Sequence, residues 1–254
     1  MKSLHLRAAA ALAVTAAWAA TAIPAGSAAP LLSHHPRVDA RTRSVGWSSS
    51  NWSGYAITGG PFTAVSGSWR VPSVAPSRKA TYSSSWVGID GFNDSSLIQT
   101  GTEQDFYNGS AHYNAWWEIL PAAETRISMT VSPGDLMSAT ITQGSGGSWT
   151  ISISDTSRNE KFSIVQAYSG PLSSAEWIQE APSVGGHIAT LAQYASPVTF
   201  DPGTANNLNP GLVAADGGVM VQHGAQVSTP SDPDRDTDGF NISYGAAAPS
   251  PPST

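Results

Sequence analysis

The chain has no cysteine, little charge, and no strongly apolar run outside its first thirty residues. Without cysteine there are no disulfides, thiolate nucleophiles, zinc fingers or iron–sulfur clusters. Only 12% of the 254 residues are charged, and 12 Lys and Arg against 18 Asp and Glu argue against a nucleic-acid partner. No heptad, solenoid or collagen-like period recurs, so coiled coil, repeat array and fibre are excluded. Several catalytic signatures are missing as well: no His-Glu-x-x-His, no Gly-x-Ser-x-Gly, and no pepsin-type Asp-Thr/Ser-Gly, Asp90-Gly91 having the wrong next residue. Only His112, His187 and His223 lie in the body, so a Ser/His/Asp triad would have to be assembled across the fold.

What is present begins with an address. Lys2 and Arg7 precede a small-apolar run from Ala8 to Ile23, and Gly26-Ser27-Ala28-Ala29 offers small residues for cleavage. Residues 1–28 therefore read as a secretory signal, and the Ala-rich run is too weakly apolar for a membrane span. Loss of Lys2 and Arg7 leaves 10 basic against 18 acidic groups, net −8, on a secreted, extracellular protein with no membrane partner. Residues 29–46 hold His34, His35, Arg37, Arg41 and Arg43 with no apolar period. They read as a linker or short pro-segment. An unstructured tail is the plain interpretation, and a removable basic mask over an anionic cleft is the other. Residues 47–245 form the domain, and the Ala/Pro/Ser-rich residues 246–254 read as a disordered tail.

The domain reads as strands: Phe62–Val71, Ser84–Ile89, Ser110–Ile119, Arg126–Val131, Leu136–Gln143, Trp149–Ser154, Lys161–Ala167, Ala175–Glu180, Pro197–Phe200, Val219–Gln222 and Phe240–Tyr244. Turn signals separate them at about 8–12 residues, as in an all-β antiparallel sandwich or barrel. Ser132-Pro-Gly-Asp135 and Gly144-Ser-Gly-Gly147 read as hairpin connections, and Val184–Tyr194 as the one stretch for a helical turn or two. Asp234-x-Asp236-x-Asp238-Gly239 resembles the start of a calcium loop, but the twelfth position is Gly245, so a polar hairpin tip is the default.

Strand parity is more informative, because alternate side chains share a face. Val87 and Ile89 share one face, Trp86 and Asp90 the other. Trp117 and Ile119 oppose Trp116, Glu118 and Leu120; Ile98 opposes Gln99; and Glu176, Ile178 and Glu180 form one set. Faces combining aromatic or aliphatic carbon with carboxyls or amides suit a groove for an extended polymer. A sugar chain would stack on Trp and be cut by two carboxyls, with Glu118 and Glu180 as candidates; a non-catalytic carbohydrate-binding module is the milder form of that alternative. A peptide would be cut by water activated by one carboxylate, with a second polar group stabilising the oxyanion. Parity alone does not choose.

At these segments the chain resembles the glutamic peptidases, the eqolisins. The resemblance runs through Asn51-Trp52-Ser53-Gly54-Tyr55, Val65 to Pro72, Trp86-Val87-Gly88-Ile89-Asp90-Gly91, Ile98-Gln99-Thr100-Gly101, Tyr113 to Glu118, Pro133-Gly134-Asp135 and Ala175-Glu176-Trp177-Ile178-Gln179-Glu180, in the family's order. It implies an antiparallel two-sheet β-sandwich (concanavalin-like) and an acid-acting, pepstatin-insensitive endopeptidase that needs no metal or cofactor. It further implies a catalytic pair of Gln99 and Glu180, with Trp52, Trp86, Asp90, Trp116 and Glu118 binding protein or peptide substrates. A monomer is the expectation for a secreted hydrolase of this size. The sequence departs from the family's pattern at Glu103, at Leu120 and at Ala181-Pro182, changes that bear on subsite preference and pH optimum.

Overall fold

The computed structural model describes residues 29–40 and 46–253. Residues 1–28, where a signal is expected, lie outside the described residues, as do Arg41 and Arg43. The compact body begins at Leu31. Among the described residues, no helix is long and apolar enough to cross a membrane.

In chain order the strands are β1 (Leu32–Ser33), β2 (Trp47–Ser49), β3 (Trp52–Thr58), β4 (Ala64–Arg70), β5 (Ser84–Ile89), β6 (Ile98–Tyr107), β7 (Ser110–Ile119), β8 (Thr125–Ile127) and β9 (Leu136–Gln143). They continue as β10 (Ser148–Asp155), β11 (Glu160–Ala167), β12 (Ser174–Glu180), β13 (Ser183–Val184), β14 (His187–Ile188), β15 (Val198–Ala205), β16 (Gly217–Gln222), β17 (Ala225–Pro230) and β18 (Phe240–Tyr244). One hydrogen-bonded path runs β11-β10-β9-β4-β15-β18-β17-β16-β3-β12-β5-β6-β7-β8, and β2 adds in parallel to β16. The path turns back on itself, so that β9, β10 and β4 lie over β5 and β6, and β15 over β12. The expected antiparallel sandwich is present, its two layers joined through β16 to β18 rather than separate.

Alternation builds the core between the layers. Val87, Ile89, Ile98, Ala115 and Trp177 from one layer pack with Val65, Trp69, Met137, Ile141, Ile151 and Phe200 from the other. Each large apolar side chain buried this way contributes roughly 1.5–3 kcal/mol, which is how a chain without disulfides holds its fold. Two indoles that cross the core keep their N–H groups paired. Trp69 Nε1 donates to Thr102 Oγ1 at 3.0 Å, and Trp177 Nε1 to the Ser66 carbonyl at 2.7 Å.

Several expectations need correction. Val184–Tyr194 holds no helical turn. Gly185 and Gly186, both at positive φ, turn the chain between β13 and β14, and bridges from Leu191 to Tyr82 and from Tyr194 to Val74 follow. Ser132–Asp135 is a turn closed by Asp135 N–H to the Ser132 carbonyl at 3.1 Å, but it is not a hairpin, because β8 pairs with β7 while β9 pairs with β4 and β10. Gly144–Gly147 does connect the antiparallel pair β9 and β10. Strands β1, β2, β3, β6, β13, β14 and β17 are additional to the expected series, and Arg126–Val131 contains strand only in β8. Residues 246–253 carry no regular structure, though Asn241 Nδ2 donates to the Ser250 carbonyl at 2.8 Å.

Candidate active site

The order β3-β12-β5-β6-β7 places three rows of residues across one face of one layer. Trp52, Glu180, Ser84 and Glu103 are register partners in the first row. Ile178, Trp86, Gly101 and Trp116 make the second. Glu176, Gly88, Gln99 and Glu118 make the third. The rows are two residues apart on every strand, so all these side chains leave the same face. The opposite parity set, Val87, Ile89, Ala115 and Trp177, fills the core. Trp52, Trp86, Trp116, Leu97 and Ile178 form an apolar floor on the site's side. Two glycines clear room for the central indole. A Cβ at Gly101 would collide with Trp86, and one at Gly88 would lie 2.9 Å from its Cζ3.

The polar groups on this floor are bonded in two sets. Gln99 Nε2 donates to Glu118 Oε2 at 2.7 Å, and Gln99 Oε1 accepts from no protein group. Trp86 Nε1 donates to Glu180 Oε2 at 2.8 Å. Trp116 Nε1 donates to Ser84 Oγ at 3.1 Å, and Trp52 meets Trp86 edge-on with centroids 4.9 Å apart. Burial pushes the Glu118 carboxyl up to about 7; His34 opposes that rise and Glu180 adds to it. Burial also pushes Glu103 up to about 7, against a downward pull from His34. These carboxyls therefore take up protons near neutrality rather than in strong acid.

The face is covered by the chain's own N-terminal segment, which is docked rather than loose. β1 pairs with β13, Leu32 opposite Val184. His34 is fully buried, and its ring stacks on Trp116 at 3.8 Å and 14°. Its Nδ1 donates to Glu180 Oε2 at 2.9 Å, while Nε2 lies 3.1 Å from Glu103 and 3.5 Å from Glu124. The His34 backbone lies near enough to the Glu118 carboxyl to pull its pKa down, and His35 N–H lies 3.4 Å from Glu180 Oε1. One residue of this segment thus bonds Glu180 through its ring and passes beside the Glu118 carboxyl.

Of the residues singled out in the sequence, Trp52, Trp86, Gln99, Trp116, Glu118 and Glu180 share this face. Asp90 does not join them. It has left the strand at φ 72, and its carboxylate accepts from Tyr168 Oη, Leu172 N–H and Ser173 N–H, holding the 168–173 segment. Glu176 shares the face but is fully buried, and burial with nearby Asp90 and Asp94 raises its carboxyl well above the usual range. Glu103, Ser84, Glu124 and His34 are additional members of the site. Parity would have found Glu103, four residues beyond Gln99 on β6. Glu124 follows the end of β7 and carries no local signal.

Comparison with known proteins gives a consistent picture. The family model described as Peptidase A4 matches residues 50–244. Aspergillopepsin-2 of Aspergillus niger is 29% identical over 197 residues, 68% of this chain and 70% of its own. Scytalido-glutamic peptidase, solved with a transition state analog inhibitor, superposes with a TM-score of 0.65 at 24% identity, covering 77% of this chain and 98% of that one. SCP-B, an eqolisin solved with the tripeptide Ala-Ile-His, superposes with a TM-score of 0.62 over the same shares, also at 24% identity.

Proposed function

The chain belongs to the Peptidase A4 family and is a glutamic endopeptidase, and from that premise we propose that Gln99 and Glu180 are its hydrolytic pair. Glu180, ionised, takes a proton from a water held between it and Gln99. That water attacks the scissile carbonyl, forming the new C–O bond. The Gln99 amide donates to the oxyanion as it develops. Glu180 then returns its proton to the leaving nitrogen as the C–N bond breaks, so no proton is gained or lost. An amide suits the second role because it stays neutral at every working pH and offers both donors and an acceptor. Donors of this kind contribute about 2.7–4 kcal/mol to the barrier.

The observation that carries this reading is that one face brings together Glu180, bonded to Trp86 and His34, and Gln99, bonded to Glu118, with a segment of the chain itself seated over them. A peptide backbone fits across the pair. Trp52, Trp86 and Trp116 give such a backbone its apolar floor, and Glu118 fixes the orientation of the Gln99 amide. Asp90 is left out of the groove; it acts on the loop beneath. The relatives' bound ligands, a transition state analog and a tripeptide, favour peptide substrates here too. The pattern of residues 1–28 supports secretion, and the family resemblance supports action in acid.

Peptide digestion at acid pH with pepstatin present, read by mass spectrometry, tests the proposal. Cleavage by the wild-type chain and none by Glu180→Gln at equal folded concentration is the expected result. Cleavage by Glu180→Gln at near wild-type rate overturns it.

A further inference from the structure

Three aspartates that belong to none of the rows of the catalytic face meet where β15 leaves its register and the segment between β17 and β18 folds against it. β15 pairs with β4 at Phe200 opposite Trp69 and again at Gly203 opposite Gly67, so it carries one extra residue there. An extra residue of this kind is a β-bulge, which re-aims the side chains it carries, and Asp201 lies within it. On the facing segment, Asp234 N–H donates to the Gly239 carbonyl at 2.9 Å. Asp234 Oδ1 accepts from Asp238 N–H and Gly239 N–H, each at 3.1 Å. The loop closed in this way is tied to β15 by Gly203 N–H, which donates to the Asp238 carbonyl at 2.8 Å. Its other side is held by Leu212 N–H to the Thr237 carbonyl at 2.9 Å and by Asn209 Nδ2 to the Asp236 carbonyl at 2.6 Å.

These bonds explain one oxygen of Asp234 and leave the other without a role. Asp234 is only 5% exposed, and its Oδ2 has no hydrogen-bond partner. A buried carboxylate oxygen is unfavourable unless a donor or a cation meets it. Oδ2 is aimed at Asp201, across a gap that Gly239 keeps open. A Cβ at Gly239 would collide with Asp234 Oδ2 and lie 2.9 Å from Asp201 Cγ. Gly239 is not at positive φ, so what the position needs from glycine is room. One carboxylate oxygen from each of Asp201, Asp234 and Asp238 lies within 4.8 Å of the other two. Among the described residues, no Lys, Arg or His forms an ion pair with any of the three. Burial and the charges of Asp234 and Asp236 push the Asp201 carboxyl above its usual range. Burial and the charges of Asp236, Asp234 and Asp201 do the same to Asp238. Like charges gathered without a counterion behave in this way.

We propose that Asp201, Asp234 and Asp238 bind one calcium ion, which ties the loop between β17 and β18 to the bulge of β15. The donor set is all oxygen, with no imidazole or thiolate, which selects a hard cation. Calcium bonds of about 2.3–2.6 Å let two ligands of one ion lie as far as about 5 Å apart, which covers the observed separation. Magnesium is smaller, demands a near-ideal octahedron and gives up its waters reluctantly, so an irregular trio from two segments suits it poorly. Calcium takes about six to eight oxygens, and the exposed side of the loop, at Arg235 and Asp236, leaves its remaining positions open to solvent. Asp201 takes the place that the sequence spacing gave to Asp236, so the site is assembled from two segments and is not a contiguous calcium loop. The loop also packs on the core. A Cβ at Gly203 would lie 2.8 Å from Trp177 Nε1 and 3.2 Å from the Asp238 carbonyl. In a chain without disulfides, the ion fastens a long connection to the strand beneath it.

Thermal unfolding of the full chain at pH 7, in calcium chloride, magnesium chloride or EDTA at matched ionic strength, tests the proposal. Open sites of this class bind at about 10⁻⁴–10⁻³ M, so about 10 mM calcium gives at least a tenfold excess. That excess should raise Tm by about 3–5 °C over EDTA in wild type. Asp234→Asn keeps an oxygen for the Asp238 and Gly239 N–H groups but weakens the ligand, and its shift should fall below about 1 °C. Asp201→Asn, which leaves those two bonds untouched, should behave in the same way. Asp232→Asn, an exposed acid outside the trio, should keep the wild-type shift. Amide exchange at residues 234–239 should slow about tenfold with calcium in wild type and not in Asp234→Asn. No Tm shift in wild type overturns the proposal. So does an equal shift with magnesium, or an equal shift in Asp234→Asn and Asp201→Asn, because either result is general charge screening. None of these readouts uses turnover, so the outcome is independent of the Gln99 and Glu180 assignment.

Discussion

Replacing Asp90 separates a groove residue from a structural anchor. The carboxylate accepts from Tyr168 Oη at 2.6 Å, Leu172 N–H at 3.0 Å, Ser173 N–H at 2.6 Å and Ser173 Oγ at 3.3 Å. Gly170 lets the segment close over it, since a Cβ there would collide with Tyr168 Oη and Asp90 Oδ2. Each hydrogen bond to a charged acceptor contributes roughly 1.5–3 kcal/mol, and the four are not additive. Asp90→Ala leaves several donors without a partner, so we expect it to cost about 3–5 kcal/mol. For a body of this size that lowers Tm by roughly 10 °C. Asp90→Asn keeps one acceptor oxygen and should lose about half as much. Thermal unfolding measures the loss, and KM on the folded fraction should stay within about twofold of wild type. A Tm within about 1 °C of wild type, together with a tenfold rise in KM, would refute this reasoning and return Asp90 to the groove.

Stability should fall as pH rises through neutrality. Glu103 and Glu118 are pushed from 4.5 to about 7, so between those values the native state holds protons that the unfolded chain releases. Their contribution is fully present below pH 4.5 and is lost as pH climbs through 7, together about a few kcal/mol. Urea unfolding at pH 4 and pH 7.5 measures the difference; Glu118→Gln should flatten it, and a stability that rises with pH over that range would contradict the sign. Glu176→Gln should retain activity and gain stability at neutral pH, because burial and the Asp90 and Asp94 charges already favour the uncharged acid. Loss of turnover in folded Glu176→Gln would show that the wrong glutamate of the Ala175–Glu180 motif has been assigned.

Parity was legible where chemistry alternates along a strand. In β7, Trp117 and Ile119 enter the core while Trp116 and Glu118 face the site, as the alternation implies. In β12 the same rule separates Trp177 from Ile178. Alternation could not reveal β6 as a strand, because its run Gln-Thr-Gly-Thr-Glu-Gln-Asp is polar on both faces, although it does place Gln99 and Glu103 on one side. Thr100 and Thr102 point toward the core and are bonded there to the Trp116 carbonyl and to Trp69. Buried polarity of that kind looks like a loop in the sequence. Parity also failed for Asp90, because alternation ends where extended backbone ends, at φ 72. The place of His34 depends on a contact 146 residues away, which no local pattern encodes. The basic composition of residues 29–46 hinted at an anionic cleft but not at which side chain would enter it.

Turnover by Gln99→Ala tests the central claim most directly. The side chain is fully buried and its NH2 is bonded to Glu118, so truncation removes the oxyanion donor while leaving the opposing Glu180 and Trp86 in place. With Tm and circular dichroism showing a folded protein, kcat at acid pH should fall by about 10²–10³ while KM changes little. A folded Gln99→Ala chain that keeps kcat within about threefold of wild type would contradict the account.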